Sequence, residues 1–212
     1  MPFTMPRPTS TTFSLLTVCT GNICRSPLTE LYLRRGLSSL DDVTVSSAGT
    51  MAADGDVMPD PARALARTLD LEPDAHRARF LFERDVRDAD LVVALAREHR
   101  RAVVSMHPRA SRYTFTLREA ARLARDVTDD QLADALPPDA STVADRLRAA
   151  VALLASRRGS VEAPNDPTDD DVVDPYRRSD ETFAESGRQL VPAADVLVDL
   201  LTRAAALGGG DR

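Results

Sequence analysis

Along this chain, short unbroken apolar runs alternate with longer stretches whose apolar residues recur at helical spacing. The run at 13–18, Phe-Ser-Leu-Leu-Thr-Val, is short and leads into turn residues, which predicts a buried parallel strand. Leu28, Leu31, Tyr32 and Arg35 predict a helix that Gly36 can end. Val43 and Val45 mark a second strand, and Asp60 and Pro61 read as the N-cap and first helical residue of a helix striped by Ala62, Leu65, Ala66 and Leu69. The stretch 90–95 holds Leu-Val-Val-Ala-Leu, a third buried strand, and a helix follows at 97–106. A short fourth strand is expected at 113–116 and another helix at 117–124. Strands alternating with helices predict an α/β fold: a doubly wound, flavodoxin-like sheet of four parallel strands with helices on both faces. Ligands of such a sheet bind beyond the carboxyl ends of the strands, where the strand order reverses.

Beyond 124 the pattern departs from the most compact version of that fold. Val143, Leu147, Ala150, Val151 and Leu154 predict an amphipathic helix. The stretch 159–173 carries two prolines, Glu162, Asp166, Asp169, Asp170 and Asp171, and no basic residue, so it reads as a mobile loop. The last apolar stripe, Phe183, Leu190, Leu197 and Leu201, is interrupted by Gly187 and Pro192, which predicts a kink or two pieces. The expected organisation is one domain over 13–206, with 125–173 as a helical insertion and acidic loop. Flexible ends at 1–12 and 207–212 complete it.

Composition narrows the chemistry. A formal charge of −6 and a pI near 5.1 argue against a general nucleic-acid binder. No apolar run approaches the ~20 residues that a membrane span needs, so a cytoplasmic protein is expected. Both cysteines, Cys19 and Cys24, fall within six residues of each other, which is not a disulfide framework. His76, His99 and His107 are scattered, and neither a metal nor another cofactor is implied.

The chemistry concentrates in Cys19-Thr20-Gly21-Asn22-Ile23-Cys24-Arg25-Ser26-Pro27, between the first strand and the first helix. Backbone N–H groups of such a loop, with the helix dipole behind them, favour an anion. Arg25 adds a planar fork that can take two oxygens at once. The same field favours the thiolate of a cysteine placed as Cys19 is. Gly21 suits a turn that needs positive φ or close backbone approach, Asn22 tolerates the left-handed conformation, and Pro27 fits the first helical position.

This string resembles the signature of the low-molecular-weight protein tyrosine phosphatases. The likeness extends to Ser47-Ala48-Gly49-Thr50, to His76-Arg77-Ala78-Arg79 and to Asp174-Pro175-Tyr176, which matches the family's acid-bearing loop. The resemblance implies phosphomonoester hydrolysis through a phosphocysteine, with Cys19 as nucleophile, Arg25 as phosphate clamp and Asp174 as general acid. It casts Asn22, Ser26, Ser47 and His76 as a hydrogen-bond network behind the loop. Thr20, Gly21, Asn22, Ile23, Cys24, Arg25 and Ser26 would bind the phosphoryl group, with Tyr176 beside the leaving group. Cys19 and Cys24 would form a redox pair. The implied substrate is a phosphotyrosine protein or a small aryl phosphate. Two departures bear on specificity: Met51-Ala52-Ala53-Asp54 has no ring where the family places an aromatic wall, and Arg177-Arg178 follows Tyr176 instead of a second aromatic. Arsenate reductases resemble this loop too, but relay a disulfide to cysteines outside it, and this chain has none there. A non-catalytic phosphate-binding or docking module is the rival from another class.

Overall fold

The computed structural model describes residues 10–207, so most of the two expected flexible ends lies outside the described residues. Four parallel strands form one sheet in the order β2-β1-β3-β4: β1 (Phe13–Cys19), β2 (Val43–Gly49), β3 (Leu91–Ala94) and β4 (Thr114–Thr116). β1 is central and pairs on both sides, which is why its apolar residues run almost unbroken. Alternate side chains feed opposite faces. Leu15, Leu91, Val93 and Phe115 join the large core, while Leu16, Val18, Val92 and Ala48 join a smaller one.

The helices are α1 (Arg25–Gly36), α2 (Asp60–Thr68), α3 (Glu83–Asp88), α4 (Arg97–Met106), α5 (Leu117–Ala124), α6 (Asp129–Asp134), α7 (Val143–Arg157) and α8 (Asp180–Ala206). The smaller core is closed by Val86 of α3 and Val103 of α4. The larger is closed by α1, α2, α5, α6, α7 and α8. Leu147, Ala150, Val151 and Leu154 of α7 belong to that same core, so the segment after α5 is built into the domain rather than laid upon it.

Several local expectations are corrected. α8 is one helix of 27 residues, not two pieces, although Pro192 lies inside it. An interior proline costs about 3 kcal/mol. Burial of Leu190, Leu197, Leu200 and Leu201 contributes about 1.5–3 kcal/mol for each side chain and outweighs it. Gly187 does not break the helix either; it admits α2, and a Cβ there would sit 3.2 Å from Leu65 Cδ1. α2 starts one residue earlier than expected, with Pro59 at the N-cap and Asp60 inside the first turn. Pro27 is the third residue of α1, still in the turn where no intrahelical N–H is missed.

The largest correction concerns the acidic loop, which is fastened at several points. Asp171 accepts the backbone N–H of Arg97 at 2.7 Å and pairs with its guanidinium at 3.0 Å, serving as the cap that Ala96 cannot provide for α4. Asp170 pairs with Arg122 at 2.8 Å, and Arg118 donates to the carbonyl of Asp171. Val172 N–H bonds to Leu95 O at 2.9 Å, extending the line of β3, and Val173 N–H to Gln189 Oε1. The countercharges come from α4 and α5, 74 and 48 residues away along the chain, so a local charge count could not find them.

Candidate active site

Cys19 ends β1, the central strand, beside the point where the chain passes from β2 on one side to β3 on the other. The loop then turns back into α1. Its left-handed residue is Asn22, at φ 53°, while Gly21 stays out of the positive-φ region and a Cβ there would make only ordinary contacts. The glycine that the loop requires is Gly49 at the end of β2. A Cβ on it would stand 2.5 Å from Thr20 O and 2.9 Å from Asn22 N.

Asn22 is fully buried and organises the loop. Its Oδ1 accepts the backbone N–H of Arg79 at 2.9 Å, which fixes the amide so that Nδ2 faces Ser26 Oγ at 2.9 Å and Ser47 Oγ at 2.8 Å. Both hydroxyls therefore accept from Asn22 and keep their own hydrogens for other acceptors. Ser47 gives its hydrogen to Glu30, and Ser26 Oγ lies 2.9 Å from Cys19 Sγ, so its hydrogen is free to point at that sulfur. The Asn22 backbone N–H also donates to the sulfur, at 3.3 Å. His76 Nε2 lies 2.7 Å from the Asn22 carbonyl, which can only accept, so this nitrogen carries a proton. Thr17 Oγ1 donates to Ser26 O at 2.9 Å and ties the first turn of α1 to β1.

Arg25 is 4% exposed and projects from the start of α1. One amino group donates to Val172 O at 3.2 Å, and the other pairs with Asp174 Oδ2 at 2.8 Å. Asp174, 52% exposed, stands at the end of the fastened acidic loop and accepts Tyr176 N–H at 3.1 Å in an Asx turn. Cys19, Arg25, Asp174 and Tyr176 line one cavity of about 290 Å³, together with Ile23, Met51 and Asp56. Thr20, Gly21 and Cys24 line it as well. Asn22, Ser26, Ser47 and His76 lie behind it as supports. Among the described residues no ring other than Tyr176 lines this cavity, and Met51 on its rim is 77% exposed.

Burial, reinforced by Cys19 and Asp174 and opposed by Arg25, pushes the Cys24 thiol up to about 12. It is protonated at neutral pH. His99, 1% exposed, bonds Thr20 Oγ1 at 2.9 Å, and burial with the charge of Arg25 lowers its pKa to about 3. It is neutral. Among the described residues no group of His, Cys, Asp and Glu has the makings of a metal site. Sequence reasoning missed Glu30, Gly49, His99 and the Arg79 amide. Gly49 lies in the Ser47-Ala48-Gly49-Thr50 stretch and Arg79 in His76-Arg77-Ala78-Arg79, and Glu30 shows only as an acidic residue on the helix after the loop; nothing in the sequence pairs His99 with a loop 79 positions away.

This arrangement can hold a tetrahedral oxyanion against loop amides and a guanidinium while a sulfur stands behind it and a carboxyl group in front. Residues 14–155 match the low molecular weight phosphotyrosine protein phosphatase family. The chain belongs to that family. It is thereby a cysteine-dependent phosphoprotein phosphatase, and the fold agrees. The protein-arginine-phosphatase of Geobacillus stearothermophilus is 34% identical over 122 residues, covering 58% of this phosphatase and 78% of that protein. The low molecular weight protein-tyrosine-phosphatase Wzb of Salmonella typhi is 37% identical over 94 residues, 44% of this chain and 61% of Wzb. Among solved structures, the YwlE arginine phosphatase from Geobacillus stearothermophilus superposes with a TM-score of 0.62 at 24% identity, covering 90% of this phosphatase and 93% of that chain. A low molecular weight protein tyrosine phosphatase from T. tengcongensis gives 0.61 at 25% identity, with 89% and 99% covered. No helix among the described residues is long and apolar enough to cross a membrane.

Proposed function

We propose that this phosphatase removes the phosphoryl group from phosphotyrosine in proteins, with Cys19 as the nucleophile. The observation that carries the reading is the convergence on one sulfur of the Asn22 N–H and the Ser26 hydroxyl, in the cavity where Arg25 meets Asp174. Cys19 thiolate attacks phosphorus in line, forming the S–P bond as the P–O bond to tyrosine breaks. Arg25 and the loop amides hold the equatorial oxygens as charge gathers on them. Asp174 gives its proton to the departing phenolic oxygen, then takes one from the water that cleaves the phosphocysteine, releasing orthophosphate and restoring the thiolate. The phenol ring would lie against Ile23, Ala53 and Tyr176. Two free thiols in one loop support a reducing, cytoplasmic setting.

Phosphoarginine is the second reading, favoured by two carboxylates, Asp56 and Asp174, on the cavity wall, where they would meet a guanidinium. Turnover of a phosphotyrosyl and a phosphoarginyl peptide of one sequence decides between them. Faster release from the phosphotyrosyl peptide is expected. Cys19→Ser should abolish release from both while retaining orthophosphate binding, and residual turnover in that variant would end the thiolate mechanism.

A further inference from the structure

His99 lies in the first turn of α4, buried, and touches the phosphate loop through one contact: its Nε2 is 2.9 Å from Thr20 Oγ1. Which group donates follows from the surroundings. The same Nε2 lies 3.4 Å from a carboxylate oxygen of Glu98, whereas Nδ1 is buried with no partner. A proton on Nε2 finds an acceptor in Thr20 Oγ1, with the Glu98 carboxylate close by; a proton on Nδ1 would be a buried donor with none, and a bare Nε2 would face a carboxylate. Nε2 therefore carries the hydrogen and donates it to Thr20. Thr20 Oγ1 accepts this bond and retains its own hydrogen, and His99 is its only hydrogen-bond partner among the described residues. Thr20 lines the cavity of Cys19 and Arg25.

We propose that the Thr20 hydroxyl is a further donor to the bound phosphoryl group, and that His99 is the positioning residue that commits it to that use. The inference rests on the phosphatase reading of the Cys19 loop and adds a neutral donor to it. It also explains why a histidine is buried there with a nitrogen unmet: the geometry that leaves Nδ1 bare is the one that turns the Thr20 hydrogen toward the cavity. Asp171, which caps α4 at Arg97 in the turn that carries this histidine, ties the same helix to the acid loop, so α4 braces both sides of the cavity.

The test is inhibition by orthophosphate of p-nitrophenyl phosphate turnover, measured on the full chain. Thr20→Val, nearly isosteric, should raise the inhibition constant about tenfold, as loss of one hydrogen bond to a charged group does. Thr20→Ser should restore it. His99→Leu should match Thr20→Val, His99→Gln should recover most of the loss through its own N–H, and His99→Leu should add nothing when Val already occupies position 20. Nitrogen-15 shifts of His99 should show a protonated Nε2 and a bare Nδ1. An unchanged inhibition constant in Thr20→Val overturns the proposal, as does an equal effect of His99→Leu with and without the Thr20 hydroxyl, or a proton found on Nδ1. If His99→Leu does not fold, the threonine series and the nitrogen shifts still decide. Absence of p-nitrophenyl phosphate turnover in the parent enzyme, or turnover that survives Cys19→Ser, would instead remove the reading of the Cys19 loop beneath it.

Discussion

Replacing Asn22 tests the logic of the phosphate loop most directly, because three side-chain hydrogen bonds and an unusual backbone angle meet in one buried residue. Asn22→Gly deletes the bonds to Ser26, Ser47 and the Arg79 N–H but keeps φ 53° accessible. The two hydroxyls can re-aim, at about 1 kcal/mol each, while the Arg79 amide is left unmet at about 1–3 kcal/mol, so the loss sums to roughly 3–5 kcal/mol. Asn22→Ala loses the same bonds and must also hold a left-handed angle at about 1–2 kcal/mol, partly offset by the 0.5–1 kcal/mol of chain entropy that glycine costs. Alanine should thus be worse than glycine by about 0.5–1 kcal/mol, the reverse of their order in a helix. Equilibrium urea unfolding measures both, and a domain of ordinary stability, about 5–15 kcal/mol, remains folded enough to assay. Turnover should fall in both variants, since Ser26 is then free to turn its hydrogen from Cys19 toward Ala48 O, 3.5 Å away. A loss below about 1 kcal/mol for Asn22→Gly, or alanine tolerated better than glycine, would refute the account of Asn22 as the hub.

Asp174→Asn should slow phenyl phosphate far more than p-nitrophenyl phosphate, whose leaving group departs without a proton; equal losses would exclude Asp174 as the acid. Because Asp170 and Asp171 are each paired with arginine, neutralising them should detach the loop rather than retune Asp174. Asp171→Asn is accordingly expected to speed proteolysis within 160–175 and to lower kcat for phenyl phosphate, and protease resistance equal to the parent's would contradict it. Peroxide should oxidise Cys19 to a sulfenic acid that Cys24 displaces, releasing water and closing a disulfide that thiols reopen; Cys24→Ser should turn this into permanent loss. As the Cys24 thiol lies near 12, closure should quicken about tenfold per pH unit between about pH 7 and 9, and a pH-independent rate would speak against it. His99 has its pKa lowered from 6.5 to about 3, so the unfolded chain binds the extra proton and stability is full above 6.5 and lost progressively as pH falls toward 3. Arg25 strengthens that depression, Asp171 opposes it and Glu98 lies against the ring. His99→Gln should flatten the fall of Tm between about pH 6 and 4, and a slope equal to the parent's would count against it.

The strand and helix order could be read from periodicity because each element answers to its own neighbours along the chain. β1, α1, α4 and α5 appear within a residue or two of where apolar spacing puts them. The loop from Cys19 to Ser26 was legible for the same reason: anion binding there depends on consecutive amides and a cysteine and arginine six positions apart, all local quantities. Elsewhere the deciding partner is distant, and there the chain pattern misleads. The acidic stretch looked unpaired because Arg97 and Arg122 reach it only after β3 and β4 have placed α4 and α5 beside it. α8 continues through Pro192 because the helices packed around it bury leucines on both sides of the proline, a gain local propensity does not contain. Residue types and local geometry were set by the sequence alone. The direction of each hydroxyl around Cys19, and the neutrality of His99, come only from the folded packing, since hydrogen-bond polarity and desolvation depend on which groups the fold brings within about 3 Å.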